Sequence, residues 1–481
     1  MRRISLALVV VLVAALVVHF PLTALPHAAA AGRPVSLTLV SNGSDFDERG
    51  MSCQSEATRV SWEKESSIAV DPNDPRHVVI AWLEDDAVGI VTSSTFDGGG
   101  SWTQAIVPGV TECTGGTAGY VFHPRLYFGT GEDLYLLSHP HQAPFPDPSA
   151  ANNDVMVNRS DDGGLSWSAP RTITNGPVLT DMDTGAVEPD TGALDVVWSQ
   201  PEIAQGDPVY VSRSTDGGES WSRSLVRVGR PGTVTFNRIL ALDGGRLLVF
   251  SQDLDAVPLI LGPTGLPIGD LSSDVVVSIS DDRGKSWSLL PPVVARKVVG
   301  EWPAAAVSSD GVVYLATRRA TETGFEVSVT KSLDGGETWS EPASAFPFPR
   351  GEFDLPQIGL AAGPSGVLGI FYYDYDAAGD PADVRAQLAY SPDGGETWRS
   401  SQIGETFDYT TVPDHFTPGG ALGLYNEIAA RPCGFVVSAT LGGILAADGP
   451  TDIYFADQRV PGLPQNACHQ APTSSRVDVL K

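Results

Sequence analysis

Thr95-Phe96-Asp97-Gly98-Gly99-Gly100-Ser101-Trp102 is the first of six copies of one octapeptide, Ser/Thr-x-Asp-x-Gly-x-Ser/Thr-Trp; the others occupy 160–167, 214–221, 280–287, 332–339 and 391–398. Successive Trp residues stand 65, 54, 66, 52 and 59 positions apart. That is the length of a four-stranded sheet with its loops and too long for a helical repeat unit, so the array predicts a radially repeated β fold. Within each copy the Asp carboxylate and the first hydroxyl are placed to accept backbone N–H groups of a tight turn. The fifth-position Gly supplies a conformation closed to residues with a Cβ. The Trp then fills the wedge between neighbouring sheets. A catalytic group is needed once, whereas these Asp and Trp residues recur at equivalent positions, so they read as scaffold.

Each octapeptide follows a short apolar strand, as at 154–157, 209–211, 274–277 and 326–329, and a further strand of this kind at 452–455 has no octapeptide after it. Upstream of each lies a pair of apolar runs split by a turn: 68–70 with 78–83, 125–128 with 134–137, 185–187 with 194–198, 239–242 with 247–250, 304–307 with 312–316, 357–360 with 367–372, and 427–430 with 435–438. Seven such hairpins against six octapeptides predict an all-β, seven-bladed propeller whose last blade lacks its own outer strand. The strand-like segment 35–40 is expected to supply that strand and close the ring, which removes exposed sheet edges. The alternative is six blades with 425–458 as an appendage.

Arg2 and Arg3, an apolar run over 4–18 and the Ala-rich 28–31 read as a secretory signal peptide, with 32–481 as a single propeller domain. Removing 1–31 takes away two Arg and no acid, leaving 28 basic against 58 acidic side chains, a formal charge of −30. Nucleic acid is therefore not an expected partner. The expectation is a secreted monomer, free of the membrane after cleavage, that meets extracellular carbohydrate or glycoprotein. Cys53, Cys113, Cys433 and Cys468 suit an oxidising compartment. Pairing Cys53 with Cys113 and Cys433 with Cys468 would pin each terminal segment to a nearby blade, and the spacing suits neither zinc nor a redox pair.

In a propeller the starts of the innermost strands converge at one mouth of the central channel, which makes the mouth the default site. Residues just ahead of these strands are Glu63 and Glu65; His123 and Arg125; Asp181 and Asp183; Arg238; Glu301 and Trp302; Asp354; and Tyr425 and Glu427. Tyr425 and Glu427 lie two apart and so share one face of a strand, where a carboxylate beside a phenol can draw off its proton. Arg125 and Arg238 offer parallel donors to a carboxylate. The bland alternative is a ring of ion pairs, Arg125 with Asp181 or Asp183 and Arg238 with Glu301 or Asp183, that closes the channel. Trp302 can stack on a sugar ring or simply pack.

The octapeptides and the ring resemble the sialidase superfamily of Asp-box propellers, also called bacterial neuraminidase repeat proteins, over nearly all of the mature chain. The resemblance implies glycoside hydrolysis, with arginines holding a substrate carboxylate, a Tyr paired with a Glu as nucleophile and an Asp as acid/base. Carried onto this chain, Tyr425 is the nucleophile, Glu427 its partner, Asp183 or Asp181 the acid/base, and Arg125 and Arg238 the carboxylate anchors. Where a sialidase carries an Arg in its first blade, this chain reads Trp62-Glu63-Lys64-Glu65-Ser66-Ser67-Ile68. The acidic mouth also permits a paired-carboxylate hydrolase acting on neutral glycans through two of Asp183, Glu301 and Asp354. A non-catalytic binding propeller is the competing class. No cofactor is implied. Asp374, Asp376, Asp380 and Asp383 in one loop offer oxygen ligands that would suit Ca²⁺, or form a solvated loop, and His139-Pro140-His141 reads as a surface turn.

Overall fold

In the computed structural model, residues 35–469 are described apart from 47–61, 142–153, 175–180, 256–272, 299–302, 322–324, 349–357, 376–382, 413–421, 444–448 and scattered single positions; side chains are also omitted at a few strand ends, among them 181–183. The leader segment 1–31 thus lies outside the described residues.

The octapeptide turns organise the chain into seven antiparallel blades, each entered from the mouth along its innermost strand. Blade 1 comprises Lys64–Val70, Val78–Glu84, Gly89–Thr95 and Thr103–Ile106. Blade 2 comprises Tyr120–Phe128, Leu134–His141, Met156–Ser160 and Arg171–Thr172. Blade 3 runs Asp181–Val187, Leu194–Ser199, Pro208–Ser214 and Ser222–Val228. In blade 4, Thr233–Ala241, Leu247–Asp255 and Ser273–Ser280 are flanked by Ser288–Leu289 and Val294–Val298, which share the outer position. Blade 5 holds Ala304–Val307, Val313–Ala320, Phe325–Ser332 and Ala343–Phe348. Blade 6 holds Gly359–Ala362, Leu368–Tyr375, Asp383–Ser391 and Arg399–Asp408.

Blade 7 settles the count. Ile428–Arg431, Gly434–Gly442 and Thr451–Arg459 form its inner strands, and Leu37–Leu39 pairs antiparallel with the last of them as the outer strand, Leu37 opposite Ala456 and Leu39 opposite Tyr454. The N-terminal strand closes the ring, and the six-blade alternative is excluded because 425–458 is a blade of its own. Cys433 and Cys468 are bridged, tying the segment after blade 7 back to its inner hairpin. Cys113 is also disulfide-bonded; its expected partner, Cys53, lies outside the described residues.

The octapeptides are hydrogen-bonded as their composition predicts. In the first copy Gly99 N–H donates to Thr95 Oγ1 at 2.9 Å and Ser101 N–H to Asp97 Oδ1 at 3.0 Å, while Ser101 Oγ donates to Asp97 Oδ2 at 2.7 Å. The same pattern repeats at Asp162, Asp216, Asp282, Asp334 and Asp393. The fourth position is left-handed as well as the fifth, and one copy places Arg283 there at φ 59°, its Nε donating to the fully buried Glu188 at 2.8 Å. Trp167 packs into an apolar cluster dominated by blade 1, among Val79, Ala81 and Ala105. Neighbouring blades are thereby fastened by repeated aromatic wedges.

Candidate functional site

Antiparallel connectivity puts the octapeptide turns at one end of the ring and the starts of the inner strands at the other. At the latter end an open cleft is lined by residues at or just ahead of several inner strands, including Arg125, Thr184, Arg238, Ala305, Leu360 and Glu427. Of the residues singled out in the sequence, Arg125, Arg238, Tyr425 and Glu427 come together here. Asp181 and Asp183 open the inner strand of blade 3, but their side chains, and all of Glu301, Trp302 and Asp354, lie outside the description.

Arg125 is the hub. Its inner strand carries a bulge between Phe122 and Arg125, and the extra residue, His123, sits at φ 56°, a strained conformation for a residue with a Cβ. Glu65 of blade 1 steadies that turn by accepting the His123 N–H at 3.1 Å. The bulge turns Arg125 across the channel, where Nη1 donates to Glu427 Oε1 at 2.5 Å and the guanidinium lies 3.9 Å above the Tyr425 ring centroid. Arg125 is 2% exposed, so this charge-assisted bond is shielded from solvent. Glu427 is thus a partner of Arg125, while the side chains of Asp181 and Asp183, its expected partners, lie outside the described residues.

Arg238 approaches the same Glu427 oxygen at a looser 3.8 Å, and its buried Nε–H makes no hydrogen bond. Among the described residues the cluster brings together two arginines and one carboxylate. The Tyr425 hydroxyl donates to Pro124 O at 2.9 Å, so its single proton is given to the backbone of the bulge and not to Glu427. Arg125 thus contacts both residues, bonding to Glu427 and covering the Tyr425 ring.

Behind Tyr425 stands a histidine group that the sequence reading placed wrongly. His139-Pro140-His141 is no surface turn: it ends the second strand of blade 2, and His139 is 1% exposed. The His123 and His139 ring centroids are 5.9 Å apart and those of His139 and His141 4.8 Å apart. Burial, with the charges of Arg125 and His141 adding to it, pushes the His123 imidazole down to about 3, and burial brings His141 to about 4. Both are neutral at physiological pH. Thr184 and Asn426, also in the cleft wall, were missed because neither stands out among the charged and aromatic residues beside it.

As for metals, Asp374 is engaged by Arg385 through bonds of 3.0 and 3.2 Å, and Asp376 and Asp380 lie outside the described residues. Among the described residues no group of three His, Cys, Asp or Glu is placed to hold a metal ion.

Ring, octapeptides and cleft define an Asp-box propeller with an arginine–carboxylate cluster at its mouth. The chain belongs to the BNR repeat-like domain family, whose model matches residues 148–406. Among solved structures it is similar to the Hadza microbial sialidase Hz136, with 16% identity over 82% of this chain and 75% of that one and a TM-score of 0.50. It is also similar to a PL25 ulvan lyase bound to -[GlcA(1-4)Rha3S]-, with 11% identity over 84% and 96% of the two chains and a TM-score of 0.53. At such identities the likeness is one of fold. No curated protein matches the sequence.

Proposed function

We propose that this chain is a secreted, monomeric propeller that takes an anionic sugar of an extracellular glycan or glycoprotein at its mouth and acts as a glycoside hydrolase of the exo-sialidase type. The observation that carries the reading is Arg238: a guanidinium in the cleft wall, loosely held at 3.8 Å from its carboxylate, with a buried Nε–H that lacks an acceptor. A substrate carboxylate would supply that acceptor. Arg125, held by Glu427, would be the second anchor. Tyr425 would attack after its hydroxyl turns from Pro124 O and gives its proton to Glu427, with Asp183 or Asp181 as the acid/base. The disulfide supports an oxidising, extracellular setting, and among the described residues no helix is long and apolar enough to cross a membrane.

A second reading has its own observation. The Tyr425 hydroxyl is tied to Pro124 O and its ring is covered by Arg125, an arrangement suited to holding an acidic glycan without turnover. The test is hydrolysis of a fluorogenic sialoside by the mature chain, with Tyr425→Phe beside it and calorimetric binding of sialyllactose to Arg238→Met. Turnover lost in Tyr425→Phe supports the hydrolase. Binding without turnover, lost in Arg238→Met, supports the second reading, and neither turnover nor binding refutes both.

A further inference from the structure

The ring closes where three segments meet. Val40 and Ser41, just past the N-terminal strand, bond to blade 7: Val40 N–H donates to Ile453 O at 2.9 Å and Ile453 N–H to Ser41 Oγ at 2.9 Å. Blade 7 in turn meets the start of blade 1, where Trp62 bridges Thr451 and the Thr451 hydroxyl donates to Glu63 O at 2.6 Å.

This junction is crowded with acids. Glu63, Glu84 and Asp452 are each 0% exposed. Asp452 accepts a 3.4 Å bond from Ser41 Oγ, and Glu84 accepts the Trp82 indole N–H at 2.7 Å. Glu63 is different: neither of its oxygens accepts a hydrogen bond from any donor. The groups that act on it are Asp452 from blade 7, Asp85 from the turn after the second strand of blade 1, and Glu84 from that strand. Lys64, next in the chain, is buried with its ammonium 4.3 Å from the Trp62 ring centroid. Ionising Glu63 in so dry a junction would bury a carboxylate that no donor meets.

We propose that Glu63 is a proton-binding site that fastens the ring: it is held as the neutral acid where blade 1, blade 7 and the N-terminal strand meet, and loss of that proton loosens the closure. Burial first, and then the charges of Asp452 and Asp85, push the Glu63 carboxyl up to about 9, which agrees with this assignment. The folded value lies above the unfolded one. Stability from this group is therefore complete below the ordinary carboxyl range and is lost as pH rises toward the folded value.

The test follows thermal unfolding of the mature chain and of Glu63→Gln, an isosteric mimic of the neutral acid, from about pH 7 to about pH 9. The wild type is expected to lose several degrees of Tm across that range and Glu63→Gln to lose less than half as much. In native-state hydrogen exchange, protection at the Val40 and Ile453 amides should fall with rising pH in the wild type alone. Parallel Tm profiles for the two proteins would overturn the proposal. Infrared spectroscopy of the wild type serves if the variant does not fold: a protonated-carboxyl band at neutral pH supports a stored proton, and its absence refutes one.

Discussion

The six octapeptide tryptophans look interchangeable in sequence, yet their indole N–H groups have different partners, and replacing each by Phe should separate them. Trp167 Nε1 donates to Thr92 Oγ1 on the neighbouring blade at 2.9 Å, and Trp287 Nε1 reaches Ser224 Oγ on the preceding blade at 3.1 Å. Trp339 and Trp398 donate within their own turns, to Gly336 O at 3.0 Å and Gly395 O at 3.1 Å. Trp102 and Trp221 have no acceptor for a buried N–H. Trp167→Phe loses an inter-blade hydrogen bond, about 1 kcal/mol, and leaves the fully buried Thr92 hydroxyl short of a donor. It also forfeits the packing of the pyrrole ring, about 1 kcal/mol for some 40 Å² of apolar area, so the variant should be destabilised by about 2 kcal/mol. Trp221→Phe loses comparable packing but removes a stranded N–H whose burial costs about 1 kcal/mol or more, so its net change should lie near zero. Equilibrium urea unfolding at unchanged m measures both. Equal losses for Trp167→Phe and Trp221→Phe would refute the claim that the indole's partner, and not its bulk alone, fastens one blade to the next.

Two further outcomes are expected. Bonds from Ser220, Ser286 and Thr338 hold Asp216, Asp282 and Asp334 down at about 2, below the usual Asp value. Their contribution is present above the ordinary Asp value and lost as pH falls through the folded one, so Asp282→Asn should flatten the acid limb of a Tm profile while leaving its slope above pH ~5 unchanged. Cys433→Ser with Cys468→Ser opens a closure with a sequence separation of 35 and should cost about 2–4 kcal/mol in urea unfolding, with the inner hairpin of blade 7 losing hydrogen-exchange protection first.

The fold was legible because a turn repeated at blade spacing leaves few architectures. The closing strand was legible because 35–40 has strand character and the final hairpin lacked an outer partner. The site was only half legible. Arg125, Arg238, Tyr425 and Glu427 could be picked out by type and by position ahead of inner strands, but which of them touch is set by the circumference of the ring. Arg125 and Glu427 are 302 residues apart, on blades 2 and 7. The pattern could not show that blade 1 bulges and that Glu65 holds the next bulge, which is what aims Arg125 across the channel. His139-Pro140-His141 was misread because Pro between polar residues signals a turn. In the structure the strand runs on past its apolar run, with Pro140 opposite Val121 beside the bulge. The fourth octapeptide position hid its left-handed geometry because Arg283 breaks the run of glycines there.

The charge arrangement also fixes the shape of the stability profile, and the terms can be separated by pH. Below the ordinary Asp value the octapeptide carboxylates dominate, and stability should climb steeply with pH as they ionise. Through mildly acidic pH the terms oppose one another. His123 and His141, brought down to about 3 and about 4, make the folded chain bind fewer protons than the unfolded one, so stability rises with pH. Asp154 and Asp195, pushed by burial up to about 6 and about 7, act the other way, as does Glu63. Past neutrality the histidines are neutral in both states and the two Asp are ionised in both, whereas Glu63 alone of these groups still holds its proton in the fold. Among these groups, stability lost between about pH 7 and about pH 9 therefore reports on Glu63 at the ring junction. A glycan-binding or turnover defect in that same range that Glu63→Gln corrects would place the closure of the ring upstream of the site, through Glu65, two residues from Glu63, and its bond to the His123 N–H.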